Sequence, residues 1–143
     1  MKVVRNEGAG GPLPLAMTDD ANPMTALVVE DEMLCRLEIR DLLEADGYAV
    51  VEAGSAAQAL DRLDGSVVLV VTDVRMPGPM DGLALAREVM RRRPDMAVVV
   101  VSALVAPRPG DLPEGVPFVA RPYLESRLHQ AIGQALAARD AHE

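Results

Sequence analysis

From Thr25 onward the chain alternates continuous apolar runs with stretches whose apolar positions recur every three or four residues. Ala26-Leu27-Val28-Val29 predicts a first strand, ending at Glu30-Asp31. Residues 32–46 set Cys35, Ile39, Leu42 and Leu43 on one face of a helix, with Gly47 as its C-terminal cap. Tyr48 to Ala53 predicts a second strand. Ser55 with Gln58 three residues on has the pattern of a capping box opening a second helix. Val67-Val68-Leu69-Val70-Val71, followed by Thr72-Asp73, suits a third strand buried on both faces. Asp81 then caps a third helix that ends at Arg91-Arg92-Arg93, before Pro94. Ala97 to Val101 predicts a fourth strand ending at Ser102, and Val116 to Ala120 a short fifth ending at Arg121-Pro122. The last helix aligns Leu124, Leu128, Ala131, Ile132, Ala135 and Leu136 on one face.

Strands alternating with helices predict an α/β fold: a doubly wound, five-stranded parallel sheet with right-handed crossovers. One crossover breaks the pattern. Between Leu104 and Pro117 stand Pro107, Pro109, Pro113 and Pro117, with Gly110 and Gly115. A helix tolerates proline only in its first turn, so helix 4 of such a fold is shortened or replaced by a Pro-rich loop. Residues 1–24, with Gly8-Ala9-Gly10-Gly11-Pro12-Leu13-Pro14, predict a disordered tail, within which Met17 and Met24 are candidates for alternative translation starts. Residues 25–139 then form one domain and 140–143 a C-terminal tail.

Composition narrows the function classes. With 14 basic and 22 acidic residues the formal charge is −8, against direct nucleic-acid binding, which needs a basic footprint. The single cysteine, Cys35, allows no internal disulfide and reads as core. No apolar run reaches the roughly 20 residues of a membrane span, and no signal peptide is evident, so a cytoplasmic protein is expected. Met33, Met76, Met80, Met90 and Met96 read as packing residues, His129 and His142 as surface, and the three arginines as a solvated helix end.

The informative residues sit at the predicted carboxyl ends of strands: Glu30 and Asp31, Asp73, Ser102 and Arg121. In open parallel sheets that rim binds ligands. Each residue alone has an ordinary structural reading, such as a cap or a surface charge; five at strand ends point to a site. Three converging carboxylates repel one another unless a cation joins them, and an all-oxygen set suits Mg2+, or Mn2+ as a similar hard ion. A hydroxyl and a fixed positive charge beside such an ion suit a phosphoryl group, with Asp73 on the central strand as the nucleophile.

Residues 25–139 resemble the receiver domain of bacterial two-component response regulators. The matching blocks are Val28-Val29-Glu30-Asp31-Glu32, Thr72-Asp73-Val74-Arg75-Met76-Pro77, Met80-Asp81-Gly82, Val101-Ser102-Ala103 and Phe118-Val119-Ala120-Arg121-Pro122-Tyr123. The resemblance implies a flavodoxin-like sheet of order 2-1-3-4-5, the topology for which a receiver protein is the standard illustration. It implies that Asp73 accepts a phosphoryl group from a sensor histidine kinase or a histidine phosphotransfer protein. Glu30, Asp31, Asp73 and the Arg75 backbone carbonyl would hold the metal. Ser102 and Arg121 would meet the phosphoryl group, and Phe118 would report the active state to an unknown downstream protein. No turnover enzyme is expected, and with no output domain following, a single-domain regulator is.

Three departures stand out. Arg121 replaces the family's lysine, Gly78-Pro79 lengthens the loop after the acceptor by one residue, and the fourth crossover lacks a regular helix. They leave open a pseudo-receiver, a phosphorylation-independent interaction module. A haloacid-dehalogenase-type phosphatase is a weaker alternative, because Arg75 stands where its second aspartate would be.

Overall fold

The computed structural model describes residues 24–103 and 107–142. The predicted N-terminal tail, apart from Met24, lies outside the described residues, as do 104–106 of the proline-rich segment and the His142 side chain. Five strands, β1 (Thr25–Val29), β2 (Ala49–Ala53), β3 (Val67–Asp73), β4 (Ala97–Ser102) and β5 (Phe118–Ala120), form one parallel sheet in the order β2-β1-β3-β4-β5. Four helices cross between or follow them: α1 (Met33–Ala45), α2 (Ala56–Arg62), α3 (Gly82–Arg92) and α4 (Glu125–His142).

The valine-rich strands are central because both their faces are covered. One layer packs Ile39, Leu42 and Leu43 of α1 and Leu128, Ala131, Ile132 and Ala135 of α4 against Ala26, Val28, Leu69, Val71, Val99 and Val101. The opposite layer packs Ala56 and Ala59 of α2 and Leu85, Ala86 and Val89 of α3 against Leu27, Val29, Val70, Val98 and Val100. Alternate residues of one strand thus feed two different cores, and every residue of β4 is buried.

Caps set the helix starts. Asp81 Oδ1 accepts from Ala84 N at 2.9 Å, and Ser55 Oγ accepts from Gln58 N at 3.2 Å. The capping box differs from expectation by one residue: Gln58 Oε1 reaches Gly54 N (2.8 Å), not the amide of Ser55. At α1 the cap is Glu32, whose Oε1 accepts from Cys35 N at 2.8 Å.

No helix occurs among the described residues of the fourth crossover, 107–117. Leu112 and Val116 fill the space on the α3 side of the sheet. Arg87 Nη1 donates to Asp111 O (2.8 Å), tying α3 to the loop, and Asp111 Oδ2 accepts from Arg108 N (2.8 Å). Proline removes donors and this loop replaces them with side-chain bonds.

Several expectations need correction. β5 begins at Phe118, two residues later than predicted: Val116 N turns back to Pro113 O, and Pro117 supplies only its carbonyl, to Val100 N (3.0 Å). Leu124 precedes α4 and is 72% exposed, so it leaves the apolar face. Met33, the first residue of α1, is 58% exposed and is not a packing residue. Cys35 is half-buried, not core. The helix α4 continues to His142, past the Arg139 boundary. Arg91 and Arg92 form the solvated helix end through Glu88, whereas Arg93 turns inward to Asp64 O (3.0 Å) and Val67 O (3.2 Å). Among the described residues no helix is long and apolar enough to cross a membrane.

Candidate phosphoacceptor site

The sheet order brings β1 and β3 side by side, with Val29 opposite Thr72. The residues that follow, Glu30 and Asp31, therefore face Asp73 across one crevice. Glu30, Asp31 and Asp73 each offer one carboxylate oxygen, and these oxygens lie within 4.8 Å of one another. This is an all-oxygen donor set of the size a hard divalent ion bridges.

Local bonds fix each acid. Glu30 stays in the ladder, its N–H donating to Ala53 O at 2.9 Å, so its side chain enters from a rigid backbone. Glu30 Oε2 accepts from Glu32 N (3.0 Å), and its carbonyl accepts from Arg36 Nη1 (2.7 Å). The Asp73 carboxylate accepts from Val74 N at 2.7 Å, and Thr72 Oγ1 donates to the Asp73 carbonyl at 2.8 Å. Asp31 is exposed and Asp73 half-buried, so the crevice opens to solvent on their side.

The turn after Asp73 is tightly determined. Gly82 N donates to Val74 O at 2.7 Å, and a Cβ on Gly82 would fall 1.8 Å from the Asp73 carbonyl oxygen. Only glycine allows α3 to begin so close to the end of β3. Within the lengthened loop, Gly78 adopts φ +96°, the left-handed region that suits glycine. Arg75, whose carbonyl is the fourth expected ligand, lies in this turn with an exposed side chain.

The other half of the rim comes from β4 and β5. Ser102 is buried at the end of β4, in register with Ala120, and its carbonyl accepts from Arg121 N at 2.9 Å. The Arg121–Pro122 peptide bond is cis. The Arg121 side chain crosses the rim to the far acid: Nη2 lies 2.9 Å from Glu30 Oε1, with side-chain exposures of 14% and 2%. Its Nε is buried with no hydrogen-bond partner among the described residues. A groove of about 440 Å³ lies beside it, lined by Glu38, Ala103, Arg121, Pro122 and Tyr123. Phe118 is half-buried and packs into the α2/α3 core layer, away from the acids.

Burial pushes the Glu30 carboxyl above its usual range; the Glu32 amide and Arg121 oppose this, while the Asp73 charge adds to it. Burial would lower the Arg121 pKa, but the hydrogen bond and charge of Glu30 more than offset it. The Cys35 thiol is pushed up to about 11 by its contact with Glu32 and by burial, which makes it a poor nucleophile.

Sequence reasoning missed Arg36, which clamps the Glu30 carbonyl and also donates to Glu52 Oε1 at 2.8 Å. Its position one turn into α1, next to the acid pair, was the available signal. It also missed the role of Gly82, for which Asp81-Gly82 at a helix start was the only sign.

Comparison with known proteins places the chain among receivers. The family described as response regulator receiver domain matches residues 26–109, more than half of the 143 residues. The chain belongs to this family. Sensor kinase CckA of Brucella abortus is 35% identical over 131 residues, covering 86% of this chain and 14% of the kinase. The chain thus spans a small part of that relative. A response regulator receiver protein from Sinorhizobium medicae, solved by crystallography, has 28% identity and a TM-score of 0.71 over 81% of this chain and 96% of its own. Response regulator protein TrrA from Thermotoga maritima, solved in complex with Mg(2+)-BeF, aligns with a TM-score of 0.69 at 24% identity, over 79% of this chain and 99% of its own. Receiver domains are signalling modules of two-component systems that work with histidine kinases and phosphotransfer proteins, generally without enzymatic turnover.

Proposed function

We propose that this chain is a phosphoacceptor in two-component signalling, taking a phosphoryl group onto Asp73 from a histidine kinase or histidine phosphotransfer protein. The observation that carries this reading is the convergence of the Glu30, Asp31 and Asp73 carboxylates within 4.8 Å at the carboxyl end of the sheet. Those acids and the Arg75 carbonyl would hold Mg2+ or Mn2+. The bound ion would neutralise charge on the transferring group.

The chain's own residues then have defined tasks. The Val74 amide, 2.7 Å from one Asp73 oxygen, orients the carboxylate and leaves the other oxygen to attack phosphorus. In the transfer, an Asp73 oxygen–phosphorus bond forms as the donor's nitrogen–phosphorus bond breaks, and the imidazole leaves with the electron pair. Ser102 and Arg121 stand on the β4–β5 side, where a hydroxyl and a guanidinium would hold the phosphoryl oxygens. The relative TrrA, crystallised with Mg(2+)-BeF, supports the choice of metal and of a phosphoryl-like ligand. Phe118, behind the rim on β5, is the residue through which occupancy would reach a downstream protein.

The Arg121–Glu30 contact keeps a second reading in play, that of a pseudo-receiver binding its partner without phosphorylation. Incubation with Mg2+ and acetyl phosphate separates the two. Phosphoacceptance gives one hydroxylamine-sensitive phosphoryl group in the wild type and none in Asp73→Asn. An unlabelled wild type would leave the pseudo-receiver.

A further inference from the structure

The acidic cluster already contains a cation, and it belongs to the chain. Both Glu30 oxygens are committed: Oε2 to the Glu32 amide at 3.0 Å and Oε1 to Arg121 Nη2 at 2.9 Å. At 2% side-chain exposure Glu30 has little recourse to solvent, so the guanidinium is its counter-charge. Asp73, by contrast, takes the Val74 amide, and Asp31 is exposed. The arginine therefore guards the most buried of the three acids and not the acceptor.

We propose that Arg121 is an internal competitor for the divalent ion, holding Glu30 until metal displaces it and so becoming available to the phosphoryl group only in the metal-loaded site. The inference rests on the reading of Glu30, Asp31 and Asp73 as a metal cradle. Its physical basis is the repulsion between a divalent ion and a guanidinium sharing one buried carboxylate. A second ground is the buried Nε, which makes no hydrogen bond among the described residues although the Tyr123 hydroxyl lies near the guanidinium, and which a phosphoryl oxygen would satisfy. Metal binding and arginine release are then one event.

Having to break a charge-assisted hydrogen bond to admit a ligand weakens binding about tenfold. Mn2+ titration, followed by the electron paramagnetic resonance of the free ion, reads this directly. Arg121→Gln is expected to bind Mn2+ about tenfold more tightly than wild type. Arg36→Gln removes the same charge from a side chain that, among the described residues, donates to the Glu30 carbonyl and to Glu52, and is expected to gain much less. Equal or weaker Mn2+ binding by Arg121→Gln, or an equal gain in Arg36→Gln, would overturn the proposal. If Mn2+ binds all three proteins alike and Asp73 still takes phosphoryl, the competitor idea alone fails. If none binds Mn2+, the metal cradle and the competitor fail together. Wild-type protein supplies a readout independent of any variant's folding: on adding Mg2+ the Arg121 Nε–H resonance in 15N-labelled protein must shift. A resonance that stays fixed while metal binds sinks the idea.

Discussion

The two halves of the rim are built differently. On the β1–β3 side, two fully paired strands end in residues held by the backbone: Glu30 N donates to Ala53 O, Glu32 N donates to the Glu30 carboxylate, and Val74 N donates to that of Asp73. On the β4–β5 side, a three-residue edge strand carries Arg121, and the crossover before it is a proline-rich loop anchored by Leu112, Val116 and the Arg87–Asp111 bond. The acid half has little freedom, since its geometry is fixed by strand register. The β4–β5 half is held by the short pairing of β5 with β4, by Arg121 N donating to Ser102 O, and by the side-chain contacts of the loop. The chemistry proposed at Asp73 and its proposed reporting would therefore draw on regions that are built differently.

The largest effect separating the halves is expected at Asp73, the proposed acceptor. Asp73→Asn is expected to abolish phosphoryl incorporation, whereas Phe118→Ala should leave incorporation intact while removing the response of the β5 surface, as read by amide chemical shifts. A loss of incorporation in Phe118→Ala would mean that the halves are not separable.

Stability sharpens the contrast. Gly82→Ala has to push a Cβ into the Asp73 carbonyl, and is expected to cost about 3 kcal/mol in denaturant unfolding. Leu69→Ala, in a fully buried position of β3, should cost a similar amount, about 3 kcal/mol. Leu112→Ala, in the half-buried loop, should cost only about 1 kcal/mol. Equal costs for the two leucines would show the loop to be as integral as the central strand.

The smallest effect is in pH dependence, where the signs oppose. Glu88 is depressed from 4.5 to about 2 by Arg91 and Arg92; its contribution is present above pH 4.5 and is lost as pH falls through about 2. The pair is exposed, so the change in midpoint is slight. Glu30 is raised above 4.5 by burial, so its contribution is present below pH 4.5 and is lost as pH rises through its folded value. Unfolding of metal-free wild type and Glu30→Gln between pH 4 and 8, roughly the range of interest, should show the glutamate protein losing ground as pH rises.

Much of the fold was legible because apolar runs write strands plainly. β3 and β4 have the predicted bounds, since Val67–Asp73 and Ala97–Ser102 are uninterrupted and bordered by turns. The prolines of 107–117 announced that no helix would occur there among the described residues. Edges were less legible: β5 lost Val116 and Pro117 to a turn, and Leu124 stays at the surface although its spacing fits the α4 stripe. The acids could be assigned because each ends a strand. The destination of Arg121 could not, because its partner lies 91 residues away and only the assembled sheet brings the two together.

The central claim, that Asp73 is the phosphoacceptor, is tested most directly by borohydride reduction after Mg2+-dependent phosphorylation. Reduction of an aspartyl phosphate leaves homoserine, which peptide mass spectrometry locates. Homoserine at position 73, dependent on both Mg2+ and donor, is the predicted result. An unmodified Asp73 in a folded, Mg2+-loaded protein, or homoserine at another aspartate, would contradict it.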